Sequence, residues 1–214
     1  MLPDQPSALT AFQIRVAQMF FALPTGRRFL LAGGAALLAQ HLSQRPTDDL
    51  DFFTRDPDDV PIAKAELVDA CAAHGWHVEE LRNSGTFCRL LIHGPDDLLV
   101  DLAYNGDPQL PATASFAGPT FAPEELAGMK LLALWDRTAA RDFADVFVLA
   151  RLSGTALLLK RATQLDAGLD AKNLAAQLRQ HQRLRDADFP STVEDVGALR
   201  AFADEWADGL DPRN

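Results

Sequence analysis

Only two cysteines, Cys71 and Cys88, occur in the 214 residues, which argues against a disulfide scaffold and fits a reducing cytoplasm. No apolar run approaches the roughly 18 residues that a membrane span requires. The longest, residues 29–38, is interrupted by Gly33-Gly34, so no membrane partner is expected. Met1-Leu2-Pro3-Asp4 carries no basic segment of the kind that opens a secretory leader. Cations are scarce: 20 Lys and Arg stand against 30 Asp and Glu, a net charge of −10. That argues against adhesion to nucleic acid by general basicity. A local basic groove stays open, because 16 of the 20 cations are arginine. Neither a repeat nor a low-complexity tract is present, and the glycines fit neither a Walker loop nor a dinucleotide fingerprint. What remains, 48% hydrophobic and 23% charged, is globular composition.

Mixed periodicity fills the first part of the chain. Residues 8–23 have helical spacing, with Phe12, Val16, Met19 and Phe20 on one stripe. Residues 28–32 and 50–54 read as strands, and 35–42 and 62–74 as helices. Residues 76–81 read as a further strand. Gly94-Pro95-Asp96-Asp97 is turn chemistry between two strands, so residues 86–104 form a hairpin. A Pro, Gly and Ala-rich stretch at 106–123 precedes a nearly all-helical remainder: 123–137, 139–152, 154–165, 170–181 and 191–206. Ser191 with Glu194 reads as a capping box for the last of these. The expected organisation is α+β, a mixed sheet flanked by helices over residues 1–115, followed by a helical domain over 116–214.

The most informative segment is Arg45-Pro46-Thr47-Asp48-Asp49-Leu50-Asp51-Phe52-Phe53. On a strand Leu50 and Phe52 share one face and Asp49 and Asp51 the other. Two residues rise about 6.5 Å, and like charges at that distance repel by roughly 2–3 kcal/mol at an effective dielectric near 20. Either this is a solvated strand end or a cation holds the pair together. Mg²⁺, which takes hard oxygen ligands and leaves positions for phosphate oxygens, suits it. Asp101 stands inside the apolar strand Leu98-Leu99-Val100-Asp101-Leu102, where an unpaired buried carboxylate would be expensive. It is either a water-facing edge residue or a third member of the same set. Upstream, Phe29-Leu30-Leu31-Ala32-Gly33-Gly34-Ala35-Ala36-Leu37 reads as strand, turn and helix. The turn is a tight connection or a place where backbone approaches a triphosphate.

In this order, Gly33-Gly34, then Asp49-x-Asp51, then Asp101, the sequence resembles the nucleotidyltransferase superfamily of DNA polymerase beta. More narrowly, Gly33 to Leu37 with Arg45-x-Thr47-x-Asp49-Leu50-Asp51-Phe52 is similar to the AbiEii/AbiGii toxin family of nucleotidyltransferases. So is the later block Glu125-Leu126-Ala127-Gly128-Met129-Lys130-Leu131-Leu132, with Arg137 and Arg141-Asp142-Phe143-Ala144-Asp145. The likeness spans residues 28–150. One departure is Ala35, where the family commonly has a hydroxyl residue.

The resemblance implies a nucleotidyltransferase-fold sheet and a Mg²⁺-dependent enzyme with two ions, held by Asp49, Asp51 and Asp101. Asp101 would also help activate the attacking hydroxyl, which displaces pyrophosphate from the α-phosphate of a nucleoside triphosphate. Gly33, Gly34, Arg45, Thr47, Lys130 and Arg137 would contact the nucleotide, with Lys130 and Asp142 among the catalytic residues. Lys130 and Arg137, i and i+7 on a helix, share a face. Asp142 and Asp145 anchor Lys130 or reach the site, while Arg141 with Asp145 could instead be a surface pair. The acceptor implied is tRNA or another RNA, and an antitoxin protein is the implied partner. Two other readings stand beside this one: transfer to a small cationic acceptor of the aminoglycoside kind, which the negative charge favours, and a catalytically silent nucleotide-binding module. Arg179, Arg183 and Arg185 are the best nucleic-acid surface in the second domain. Cys71-x-x-His74-x-x-His77 does not present one clean face and is discounted as a zinc site.

Overall fold

The computed structural model describes residues 9–211. The opening residues Met1 to Asp4 and the first residue of the expected 8–23 helix lie outside that range.

Helix α1 (Ala11–Ala22) begins where Thr10 and Gln13 form a reciprocal capping box. It buries Phe12, Val16 and Phe20. Strand β1 (Phe29–Ala32) runs straight into helix α2 (Gly33–Ala39). Strand β2 (Asp49–Thr54) follows, then helix α3 (Asp59–Ala73) and strands β3 (His77–Asn83), β4 (Phe87–His93) and β5 (Asp97–Tyr104). Two short strands, β6 (Thr113–Ser115) and β7 (Gly118–Thr120), complete a seven-stranded sheet in the order β3-β4-β5-β2-β1-β7-β6. The sheet is mixed. β2 lies antiparallel to β1 and parallel to β5, and β4 and β5 form the expected hairpin.

Alternation divides the sheet into two unlike faces. Leu50, Phe52, Leu90, Ile92, Val100 and Leu102 are fully or almost fully buried. Phe20 of α1 stacks on Phe52 at 4.1 Å between ring centroids. Lys64 of α3 bonds Glu80, the register partner of Leu90, at 2.7 Å. Helices α1 and α3 therefore cover one face, and the opposite face carries Asp49, Asp51, Arg89 and Asp101. His74 stacks on Trp76 and His77 on His93, so these rings belong to local packing.

The chain divides into two compact units, one ending at Ala122 and the other beginning at Pro123. The division falls seven residues past the composition change at 115, because β6 and β7 add to the sheet through the pairing of Leu31 with Thr120. The second unit is helical: α4 (Pro123–Asp136), α5 (Ala140–Ser153), α6 (Thr155–Leu165), α7 (Ala171–Leu178) and α8 (Val196–Leu210). Leu126, Leu131, Leu134, Phe143, Leu149, Leu158, Leu174 and Leu199 form its core. The last helix does not start at Ser191. Ser191 lies in a turn closed by Val193 N–H on Pro190 O, and Asp195 caps the helix by accepting from Ala198 N–H at 2.8 Å. The 170–181 helix also stops early, tightening into a 3-10 turn at Arg179–Arg183.

Candidate active site

In the first unit, Ala32 of β1 pairs with Asp51, so the chain turns into α2 directly beside that carboxylate. Gly33 has φ +63°, and a Cβ there would overlap Asp51 Oδ2. A Cβ on Gly34 would lie 2.7 Å from Thr47 Oγ1 and 3.2 Å from an Arg45 guanidinium nitrogen. Each glycine thus admits a polar side chain of the downstream motif, Asp51 on β2 for Gly33 and Thr47 and Arg45 in the loop before it for Gly34. Any other residue at Gly33 would also pay for a left-handed backbone. Ala35 is fully buried, so its methyl packs inward.

Thr47 is held from two sides. Its carbonyl accepts a bond of 2.7 Å from Gln13 Nε2 of α1. Its hydroxyl donates to Asp49 Oδ1 at 2.6 Å. Arg45 is braced by its own turn, donating to the Pro46 carbonyl at 2.9 Å. Gln13 is a member of this cluster that the sequence reading missed. The Thr10-x-x-Gln13 capping pattern at the head of the apolar helix was the available signal.

Asp51 and Asp101 are direct register partners on the parallel strands β2 and β5, so both side chains leave the same face of the sheet. Asp101 is 5% exposed and pays for its burial through Arg89, its partner on β4. Arg89 Nε donates to Oδ1 at 2.8 Å and a terminal nitrogen to Oδ2 at 2.6 Å. That bond raises the guanidinium above its ordinary pKa against partial desolvation, and the charges of Asp101, Asp49 and Asp51 add to the rise. One arginine thus feels all three carboxylates.

The three-carboxylate metal set expected from the sequence is therefore altered in one respect. Asp101 lies beside Asp51, yet both of its oxygens are taken by Arg89. Among the described residues no three of His, Cys, Asp and Glu form a group placed to hold a metal ion. Asp49 and Asp51, hard oxygen donors on a partly exposed strand face, fit a divalent cation such as Mg²⁺ in donor chemistry.

Two ion pairs of the second unit involve the expected site residues. Lys130 Nζ lies 2.8 Å from Asp145 Oδ2, with side chains 11% and 1% exposed. Asp145 is thus a buried carboxylate, not the surface partner that its spacing from Arg141 suggested. Arg137 binds Asp142 through two nitrogens, at 2.7 and 3.0 Å. Asp142 is fully buried while half of Arg137 remains exposed. Asp142 thereby orients Arg137, and Asp145 orients Lys130. Of the expected basic surface, Arg179 is engaged by Asp208 and Asp211 and Arg185 by Asp188. No helix among the described residues is long and apolar enough to cross a membrane.

Comparison with known proteins identifies the family and the fold. The family described as nucleotidyl transferase AbiEii toxin, type IV toxin–antitoxin system, matches residues 17–212. No curated protein matches in sequence. Among solved structures, the chain is similar to MenT4, a nucleotidyltransferase toxin from Mycobacterium tuberculosis. The TM-score is 0.57 at 15% identity, over 97% of this chain and 91% of that one. It is also similar to JHP933 from Helicobacter pylori, with a TM-score of 0.55 at 16% identity over 93% and 89% of the two chains. At these identities the likeness speaks for the nucleotidyltransferase fold.

Proposed function

The chain belongs to the AbiEii family of nucleotidyltransferase toxins and is a nucleotidyltransferase; from that premise we propose that it moves a nucleoside monophosphate from a nucleoside triphosphate to the hydroxyl of an RNA, such as tRNA, in the cytoplasm. The observation that carries the site assignment is the pairing of Asp51 with Asp101 beside a glycine turn that only glycine can make.

In this reading Gly33, Gly34, Arg45 and Thr47 bind the triphosphate. Thr47 keeps Asp49 in place through its hydroxyl, and Gln13 keeps Thr47 in place. Asp49 and Asp51 hold Mg²⁺, with Asp101 beside them. Bound there, the ion supplies charge stabilisation for the entering and leaving oxygens. Arg89 occupies both oxygens of Asp101 and orients it, which suits electrostatic support better than proton removal. A bond forms between the acceptor oxygen and the α-phosphorus. The bond to the oxygen bridging to the β-phosphorus breaks, and pyrophosphate leaves with that electron pair. The hydroxyl proton is lost to water. Lys130 and Arg137, each fixed by a buried aspartate within the helical unit, are further candidates for phosphate binding. The family description supports an antitoxin protein as functional partner.

The test is to incubate the full chain with each α-labelled nucleoside triphosphate, Mg²⁺ and total RNA, beside an Asp49→Ala/Asp51→Ala variant. Label on RNA with the wild type alone supports the proposal. Label on an added aminoglycoside and none on RNA would replace it with small-molecule modification, which the chain's charge of −10 favours. Nucleotide binding without pyrophosphate release would identify a silent binding module.

A further inference from the structure

A cavity of about 530 Å³ opens in the first unit at the other end of the carboxylate strand, among Leu30, Phe53, Phe121, Arg27, Arg28 and Arg55. Its volume is that of a small-ligand pocket. Leu30 and Phe53 are register partners on the face that carries Asp51. Phe53 stands about 6.5 Å along β2 from Asp51. The strand therefore sets an order on one surface: Asp49, Asp51, then the cavity.

We infer that this cavity is the acceptor pocket and that it takes the terminal nucleotide of an RNA strand. The inference rests on the transferase reading above. In phosphoryl transfer the attacking and leaving oxygens lie roughly in line across the phosphorus. With the triphosphate against Gly33 and Gly34, pyrophosphate leaves at that end of β2, and the attacking hydroxyl arrives from beyond Asp51, where the cavity lies. Its walls suit a base and a phosphate together. Phe53, half-buried and backed edge-on by the buried Phe121 at 6.3 Å between centroids, gives an apolar surface for a ring. Guanidinium groups stack on bases and pair with phosphates in two-pronged fashion.

The charged lining decides between acceptors. Asp59 is 2% exposed and is spent internally, accepting from Arg28 at 2.8 Å and from the Thr54 hydroxyl at 3.2 Å. Arg28 itself stays 65% exposed. Arg55 and Asp107 are 3.9 Å apart and 72% and 83% exposed, a loose pair that a phosphate can displace. Arg27 is exposed. The lining holds three guanidinium groups and three carboxylates, but Asp59 is the one charge withdrawn behind Arg28. The face a ligand meets therefore presents Arg27, Arg28 and Arg55 beside Asp56 and Asp107, which suits an anionic strand more than a polycationic sugar.

The experiment uses the full chain and a fluorescein-labelled single-stranded 12-nucleotide RNA with a free 3′-hydroxyl. Anisotropy titrations compare the wild type with Arg27→Glu/Arg55→Glu and Arg27→Lys/Arg55→Lys, and thermal melts check that both variants fold. The pocket predicts at least tenfold weaker RNA binding by the Glu variant and near-recovery by the Lys variant. Labelled nucleoside triphosphate should bind all three equally. Undiminished RNA binding by the Glu variant, or wild-type binding of kanamycin but not of RNA, overturns the inference. If the wild type transfers label to RNA and the Glu variant does so with the same KM, the pocket falls and the transferase reading stands. If RNA binds through these arginines and no acceptor is ever labelled, the transferase reading falls and the pocket stands.

Discussion

Gly33 leaves open the space that the Asp51 carboxylate fills: a Cβ at position 33 would overlap Asp51 Oδ2. The glycine motif and the carboxylate motif, 18 residues apart in sequence, are therefore one packing unit. Gly33→Ala meets both this overlap and a φ of +63°. It should cost about 2 kcal/mol or more of stability and remove transfer activity together. Chemical denaturation with a parallel activity assay checks this. A variant of wild-type stability would show that Asp51 has room to move aside.

The Arg89–Asp101 pair should respond asymmetrically. The Arg89 side chain is 45% exposed and can return to water, whereas the Asp101 side chain, at 7%, cannot. Asp101→Asn should cost about 1–2 kcal/mol, a fall of roughly 2–8 °C in Tm for a chain of this size. Arg89→Met strands a buried carboxylate and should cost about 3 kcal/mol or more. Differential scanning calorimetry giving the reverse order would contradict the assignment of Arg89 as the counter-ion.

The sequence carried the strand faces and the hairpin, since alternation and the Gly94-Pro95 turn are local signals. It also held the cross-strand partner of Asp101. Counting back from the pairing of His93 with Asp97 across the turn reaches Arg89, but the turn register was not used that way. The start of the last helix was misread because Ser191 and Glu194 match a capping box, and only the competition with Asp195, which captures Ala198 N–H, decides the start. An anchor for Lys130 at Asp142 or Asp145 is among the readings of the sequence, and Asp145 is the one that binds it. That Asp142 holds Arg137 instead was not read, because i, i+3 and i, i+4 arithmetic within one helix does not reach the next.

In the helical unit, Lys130 and Asp145 are both largely withdrawn from water. Removing either charge alone, as Lys130→Met or Asp145→Leu, should destabilise by about 3–5 kcal/mol. The double variant should cost less than the sum, because no charge is then left unpaired. Urea unfolding of the four proteins measures the coupling, and strict additivity would rule out a direct interaction.

Burial pushes the thiols of Cys71 and Cys88 up to about 11. The unfolded chain releases those protons at lower pH than the folded one. The thiols therefore stabilise the fold below the ordinary thiol range, and that contribution is lost as pH rises toward 11. Cys71→Ala/Cys88→Ala should flatten the fall in stability between about pH 9 and 11. Thiol titration at pH 8 should likewise be slow until denaturant is added; immediate reaction of both would contradict their burial.

The central claim is that the carboxylates around Asp51 direct attack to the α-phosphate of a bound nucleoside triphosphate. Parallel reactions with α-labelled and γ-labelled nucleoside triphosphate, total RNA and Mg²⁺, run with the wild type and with Asp51→Asn, test it most directly. The account predicts acceptor labelling from the α-position only, release of the γ-label as pyrophosphate, and loss of at least a hundredfold in Asp51→Asn. Label reaching the acceptor from the γ-position, or undiminished transfer by Asp51→Asn, would contradict it.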